Sequence, residues 1–158
     1  EQASALNHLC QKYKTPLLIN DDAGLAAGIG ATGVHLGQSD GAVSEAREML
    51  GEEAIIGVTC HDQISLALTA EKEGADYVAF GAFFPSKTKP NAKPAPMSLL
   101  EEAKSELNIP IVAIGGITVD NAQHIIDVGA DMIAVIHALY AANNITQQAQ
   151  QFTRQFSN

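Results

Sequence analysis

Two aspartates, a loop of lysines and hydroxyls, and a glycine pair are the residues of this chain whose types and spacing suit chemistry. Asp21 follows one apolar run directly, and Asp40 stands four residues past the next, after Gly37-Gln38-Ser39. If those runs are neighbouring parallel strands, the two carboxylates could converge on one hard cation. Mg²⁺ takes one or two carboxylates and completes its shell with phosphate oxygens and water. For either aspartate alone, the other reading is a cap on the following helix or turn. Ser86-Lys87-Thr88-Lys89, with Lys93 nearby, gathers cations and hydroxyls in a chain that has 9 Lys+Arg against 18 Asp+Glu. Lysine offers phosphate a point charge and hydroxyls donate to its oxygens; a solvated loop is the plainer alternative. Gly115-Gly116 would let backbone N–H groups approach an anion ahead of a helix N-terminus, although tight turns use glycine as well. His35 reads as inward-pointing or structural. His61 ends a strand, where a ligand contact and a surface histidine are equally open. Cys60 has no basic activator beside it, which argues against a catalytic thiolate.

Elements that could position these residues alternate along the chain. Short, almost wholly apolar β-branched runs at 17–20, 33–36, 54–59, 77–81, 111–115 and 132–136 read as parallel strands covered on both faces. Helical patterns occupy 1–13, 23–29, 42–50, 63–73, 99–107, 120–128 and 138–156, with Asp62, Ser98 and Asp120 as expected N-caps. A repeat supports the alternation: Gly30-Ala31-Thr32-Gly33-Val34, Gly74-Ala75-Asp76-Tyr77-Val78 and Gly129-Ala130-Asp131-Met132-Ile133. Each opens on a glycine that ends a helix with φ > 0 and then enters a strand. The repeats start 44 and 55 residues apart, and the longer interval holds one long loop at 82–96. Long loops in such scaffolds tend to carry function.

Strict β-α alternation implies an α/β fold, an open sheet or a (β/α) barrel. A (β/α)₈ barrel needs eight strands and about 250 residues, roughly 200 at its most compact. Six strands are visible, and the chain opens on Glu1 within a helical pattern. The expectation is therefore a single domain, 1–158, forming the C-terminal portion of such a barrel, with six of eight βα units present and a gap between the first and last strands. Exposed strand edges are normally protected. Another copy, giving a homo-oligomer, or a further segment is expected to cover them. In a barrel the ligand site lies at the C-terminal ends of the strands, and here nearly every such end is polar.

Composition excludes several classes. The formal net charge of −9 disfavours nucleic acid, since no Lys/Arg excess exists to displace counterions. No apolar run approaches the roughly 20 residues of a membrane span, and no secretory signal opens the chain. Two cysteines make neither a disulfide framework nor a zinc cluster. The default is a reduced, cytoplasmic, acidic domain.

Taken together, the motifs resemble those of the thiamine-phosphate synthases over essentially the whole length. The resemblance is carried by Ile19-Asn20-Asp21, the run from Gly33 to Asp40, Ile56-Gly57-Val58-Thr59, the run from Gly81 to Lys89, Ala113 to Thr118, and Ala134-Val135-Ile136. It implies a compact (β/α)₈ barrel that joins a pyrimidine diphosphate to a thiazole phosphate, releasing diphosphate and thiamine phosphate. By position it implies that Asp21 and Asp40 hold Mg²⁺, and that Asn20, Thr59 and Lys89 contact the pyrimidine diphosphate, with Thr59 and Lys89 catalytic. Ser86, Thr88, Gly116, Ile136 and His137 would bind the thiazole phosphate. The loop at 82–96 is expected to be mobile and to close over both phosphates, with Lys89 facing the barrel mouth. Three departures stand out: the family's diphosphate-gripping Gln-x-Arg-x-Lys stretch has no counterpart, Thr59 replaces the usual serine, and His137 replaces another. A thiazole tautomerase-type isomerase on the same barrel is the alternative enzyme, although it would need neither the paired aspartates nor the lysine loop. A non-catalytic remnant that binds phosphate ligands is the third reading.

Overall fold

The computed structural model describes residues 1–85 and 94–156. Its elements run α1 (Gln2–Lys12), β1 (Leu18–Asn20), α2 (Ala23–Ile29), β2 (Gly33–Leu36), α3 (Val43–Leu50), β3 (Ile55–His61), α4 (Ile64–Lys72) and β4 (Tyr77–Phe80). After these come α5 (Ser98–Glu106), β5 (Ile111–Ile114), α6 (Val119–Val128), β6 (Met132–Ala134), α7 (His137–Tyr140) and α8 (Ile145–Arg154). The strands form one sheet in the order β1-β2-β3-β4-β5-β6, each parallel to the next, curled into a half-barrel. A TIM-type barrel is the broad architecture this matches. Among the described residues, β1 and β6 are its two unpaired edges. No helix of the described residues is long and apolar enough to cross a membrane.

The strands divide their residues between two faces with period two. Val34 and Leu36, Ile56, Val58 and Cys60, Val78 and Phe80, and Ile111 and Ala113 are buried in the core beneath the helices. Ala67, Leu100, Ala103 and Ile125 meet them from the helices, with no exposed surface. The intervening set, His35, Gly57, Thr59, Tyr77 and Ala79, therefore turns to the concave side. The site is built there.

The repeat has a structural meaning beyond its glycine. Gly30, Gly74 and Gly129 end helices with φ of 63°, 91° and 132°. The third residue then ties down the start of the preceding strand. Thr32 Oγ1 accepts from Leu17 N–H, Asp76 from Ile56 N–H at 2.7 Å, and Asp131 from Ile111 N–H at 2.9 Å. Each aspartate also holds a cation, Arg47 at 2.8 Å and Lys104 at 2.5 Å. Asp76→Ala should cost about 1–3 kcal/mol, because it orphans the buried Ile56 N–H and removes the partner of Arg47. Asp76→Asn, which keeps an acceptor, should cost less; urea unfolding of the two variants measures the difference.

Several local expectations need correction. The helix expected over 138–156 is two, because the Asn144 side chain accepts from Gln147 N–H at 3.0 Å and starts α8 afresh. The N-caps of α4, α5 and α6 are Gln63, Met97 and Thr118, within two residues of Asp62, Ser98 and Asp120.

Candidate functional site at the mouth of the half-barrel

The C-terminal ends of β3, β4, β5 and β6 surround a cavity of about 370 Å³. Thr59, His61, Gly116, Ile136 and His137 are among its walls, with Ala79, Ile114, Ala134 and Val135 giving it an apolar floor. Near the end of β3 the pairing with β4 slips by one residue: Thr59 faces Ala79, but His61 faces Phe80. Such an irregularity re-aims side chains beside a site. His61 adopts φ 52°, uncommon for a residue with a side chain, and Gly81 N–H donates to its carbonyl at 2.9 Å.

The glycine pair exists for close approach. Residues 81–85 run alongside the end of β5, with Phe83 N–H donating to Ile114 O and Phe84 N–H to Gly115 O. A Cβ on Gly115 would lie 2.3 Å from that of Ala82, and one on Gly116 would lie 2.4 Å from the Pro85 carbonyl oxygen. Gly116 also has φ 63°, which glycine adopts without steric cost. The pair thus anchors residues 81–85, of which Gly81, Ala82 and Pro85 line the cavity. Asn121 reinforces the turn, accepting from Thr118 N–H at 2.8 Å and donating to Gly116 O at 3.2 Å.

Asn20 ends β1, Asp21 follows it directly and Asp40 stands in the turn four residues past β2, all three outside the walls of that cavity. Asn20 pairs in register with His35, which places it on the concave side. Asp21 continues the ladder, donating its N–H to His35 O at 2.8 Å, and turns away with φ 67°. An unusual backbone at a strand end is a pointer to function. The cap of α2 is Asp22, whose Oδ1 accepts from Leu25 N–H at 2.7 Å, so Asp21 does not fill that role. Asp40 does stabilise its turn: Oδ2 accepts from Gly37 N–H at 2.9 Å, and Ser39 Oγ reaches Oδ1 at 3.4 Å. Among the described residues no group of three or more His, Cys, Asp or Glu gathers as a metal site.

Sequence reasoning missed a layer beneath the mouth. His35 Nε2 lies 2.7 Å from Thr59 Oγ1, and His35 Nδ1 lies 2.8 Å from the Tyr77 hydroxyl. Gln38 Nε2 donates to the Thr59 carbonyl at 2.6 Å. Burial lowers the pKa of His35, partly offset by the nearby Asp21 charge, and pushes Tyr77 up to about 12. The Asp21 carboxylate is thus felt on the concave side. Burial also pushes the Cys60 thiol up to about 12, in keeping with an inert core cysteine. Ser86, Thr88 and Lys89, and the expected mobility and closure of their loop, lie outside the described residues.

The family described as thiamine monophosphate synthase matches residues 1–139. The thiamine-phosphate synthase of Nitrosococcus oceani is 50% identical over 156 residues, covering 99% of this chain and 72% of that protein. That of Marinobacter nauticus is 54% identical over 158 residues, covering 99% and 71%. Among solved structures, thiamine phosphate pyrophosphorylase from Pyrococcus furiosus superposes with a TM-score of 0.87 at 32% identity, covering 98% of this chain and 73% of its own.

Proposed function

The chain belongs to the thiamine monophosphate synthase family, and from that premise we propose that it is a transferase of thiamine biosynthesis. It would join the pyrimidinylmethyl group of 4-amino-5-hydroxymethyl-2-methylpyrimidine diphosphate to thiazole phosphate. The carbon–oxygen bond to diphosphate breaks, diphosphate leaves with the electron pair, and the thiazole ring nitrogen forms the new carbon–nitrogen bond to give thiamine phosphate. The observation that carries the reading is the meeting of four motif-bearing strand ends at one cavity, with Thr59, Gly116, Ile136 and His137 in its walls.

The chain's own residues have distinct work in this reading. The apolar floor, Ala79, Ile114, Ala134 and Val135, keeps water from an electron-poor methylene carbon that water would otherwise capture. Asn20 and Thr59 contact the pyrimidine diphosphate, and Lys89 sets a fixed positive charge against the leaving group. Ser86, Thr88 and Gly116, with Ile136 and His137, hold the thiazole phosphate. His137 in place of serine makes that end of the pocket larger in side chain and able to donate from a ring nitrogen.

Mg²⁺ belongs to the same proposal, and the donor set fits it. Asp21, directly after β1, and Asp40, in the turn after the neighbouring β2, would supply two hard oxygen ligands, and phosphate oxygens and water would take the remaining positions. Asp40 retains lone pairs beyond the one given to Gly37 N–H. When bound, the cation would add charge stabilisation to the departing diphosphate. The finer architecture, six of the eight units of a (β/α)₈ barrel, is supported by six strands among the described residues that are parallel and in chain order. A homo-oligomer is supported by β1 and β6, which are unpaired edges among the described residues, and by exposed Met132 on β6.

His61 in the cavity wall suits a synthase and a thiazole tautomerase-type isomerase alike, so the alternatives are separated by turnover. Omitting one substrate at a time separates the readings. A synthase releases diphosphate only with both substrates present, and an isomerase converts its thiazole carboxylate phosphate alone. A binding remnant takes up both ligands and turns over neither.

A further inference from the structure

Register across three strands sets up a hydrogen-bonded relay under the cavity. His35 on β2 pairs with Gly57 on β3, and Gly57 pairs with Tyr77 on β4. A Cβ on Gly57 would fall 1.9 Å from Tyr77 Cζ and 2.4 Å from its hydroxyl oxygen. The tyrosine ring therefore occupies the space that a side chain on β3 would fill, and this lets it reach across the strand to His35. The two rings stack with centroids 5.6 Å apart and planes 20° from parallel. Two residues along the same face of β3, Thr59 receives the other nitrogen of the same imidazole.

A neutral imidazole has one N–H and one lone pair, and the partner of one nitrogen decides the role of the other. A phenol is the better donor of the two hydroxyls. We infer that Tyr77 and His35 are positioning residues: the Tyr77 hydroxyl donates to His35 Nδ1, His35 Nε2–H donates to Thr59 Oγ1, and the Thr59 hydroxyl is left to donate its own proton into the cavity. Protonated imidazole also donates from Nε2, so the consequence at Thr59 does not depend on the charge of His35. Thr59 then presents a donor, selecting an acceptor atom, such as a diphosphate oxygen or a ring nitrogen, on the molecule bound beside it. The inference rests on the proposed reading in taking Thr59 as a contact to the pyrimidine diphosphate.

Tyr77→Phe removes the hydroxyl and keeps the ring over Gly57. Nitrogen-15 NMR of His35 in the wild-type chain should show the Nε2–H tautomer, and Tyr77→Phe should shift it toward Nδ1–H or a mixture. In the coupling reaction, Tyr77→Phe should lower kcat/KM for the pyrimidine diphosphate about 3- to 10-fold, the worth of one hydrogen bond. It should have no further effect in a Thr59→Val background, whereas a purely structural tyrosine would lower both backgrounds alike. An Nδ1–H tautomer in the wild type, or additive effects, would overturn the inference. The tautomer can be read without turnover, so a chain that catalysed no coupling would contradict the functional reading while the relay was still decided.

Discussion

Asp21→Ala and Asp40→Ala are each expected to abolish Mg²⁺-dependent turnover while the sheet remains folded. One carboxylate directly follows β1 and the other stands four residues past β2, and in the proposed site removing either takes away half of the protein's hold on the cation and one of its two negative charges. Both alanine variants should also lose some stability, for different reasons. Asp40 accepts from Gly37 N–H and steadies its turn, so its loss should also cost about 0.5–2 kcal/mol. Asp21→Ala instead places alanine in the left-handed backbone at φ 67°, which should cost about 1 kcal/mol. Asp21→Asn is the sharpest form of the test, because asparagine tolerates the left-handed backbone at φ 67° while lacking the charge. Steady-state rates across a Mg²⁺ titration, beside urea unfolding, check both halves. Full activity in Asp21→Asn at ordinary Mg²⁺ would remove that residue from the metal site.

Lys89→Ala should slow diphosphate departure by about 10²–10³-fold, the usual loss when one preorganised charge-stabilising donor is removed. Ser86→Ala and Thr88→Ala should act differently. A neutral donor mainly positions the second substrate, so each should raise KM for thiazole phosphate, by roughly 3- to 10-fold, with kcat little changed. Single-turnover measurement with saturating thiazole phosphate isolates the departure step from binding. If Lys89→Ala altered only the affinity for thiazole phosphate, the division of labour in this loop would be wrong.

The parts of the fold legible in the sequence were those fixed by local chemistry. The glycine of each Gly-Ala repeat ends a helix because only a left-handed residue turns the chain there, and the apolar run that follows has to be a strand. The break before Ile145 was hidden because 138–156 keeps an apolar periodicity through Asn143-Asn144, and only the Asn144 side-chain bond to Gln147 shows where α8 begins. At the site, Thr59, Gly116, Ile136 and His137 were legible because they sit where strands end, and a barrel places such residues together. Gly57 and Tyr77 were not. A tyrosine opening a strand and a glycine inside another look ordinary, and their contact depends on the register of β3 against β4, which no local pattern encodes. Asp40 shows the opposite difficulty. The same carboxylate geometry serves a turn and suits a cation, so residue type alone left both readings standing.

The coupling reaction itself tests the central claim most directly. Phosphorus-31 NMR of the purified chain with pyrimidine diphosphate, thiazole phosphate and Mg²⁺ follows every phosphorus in the proposed reaction. The expected spectrum loses the organic diphosphate and thiazole phosphate signals and gains thiamine phosphate and free diphosphate in equal amounts, with no change when EDTA is present from the start. Diphosphate released without thiamine phosphate, or both substrates bound and unchanged over hours with Mg²⁺ present, would contradict it.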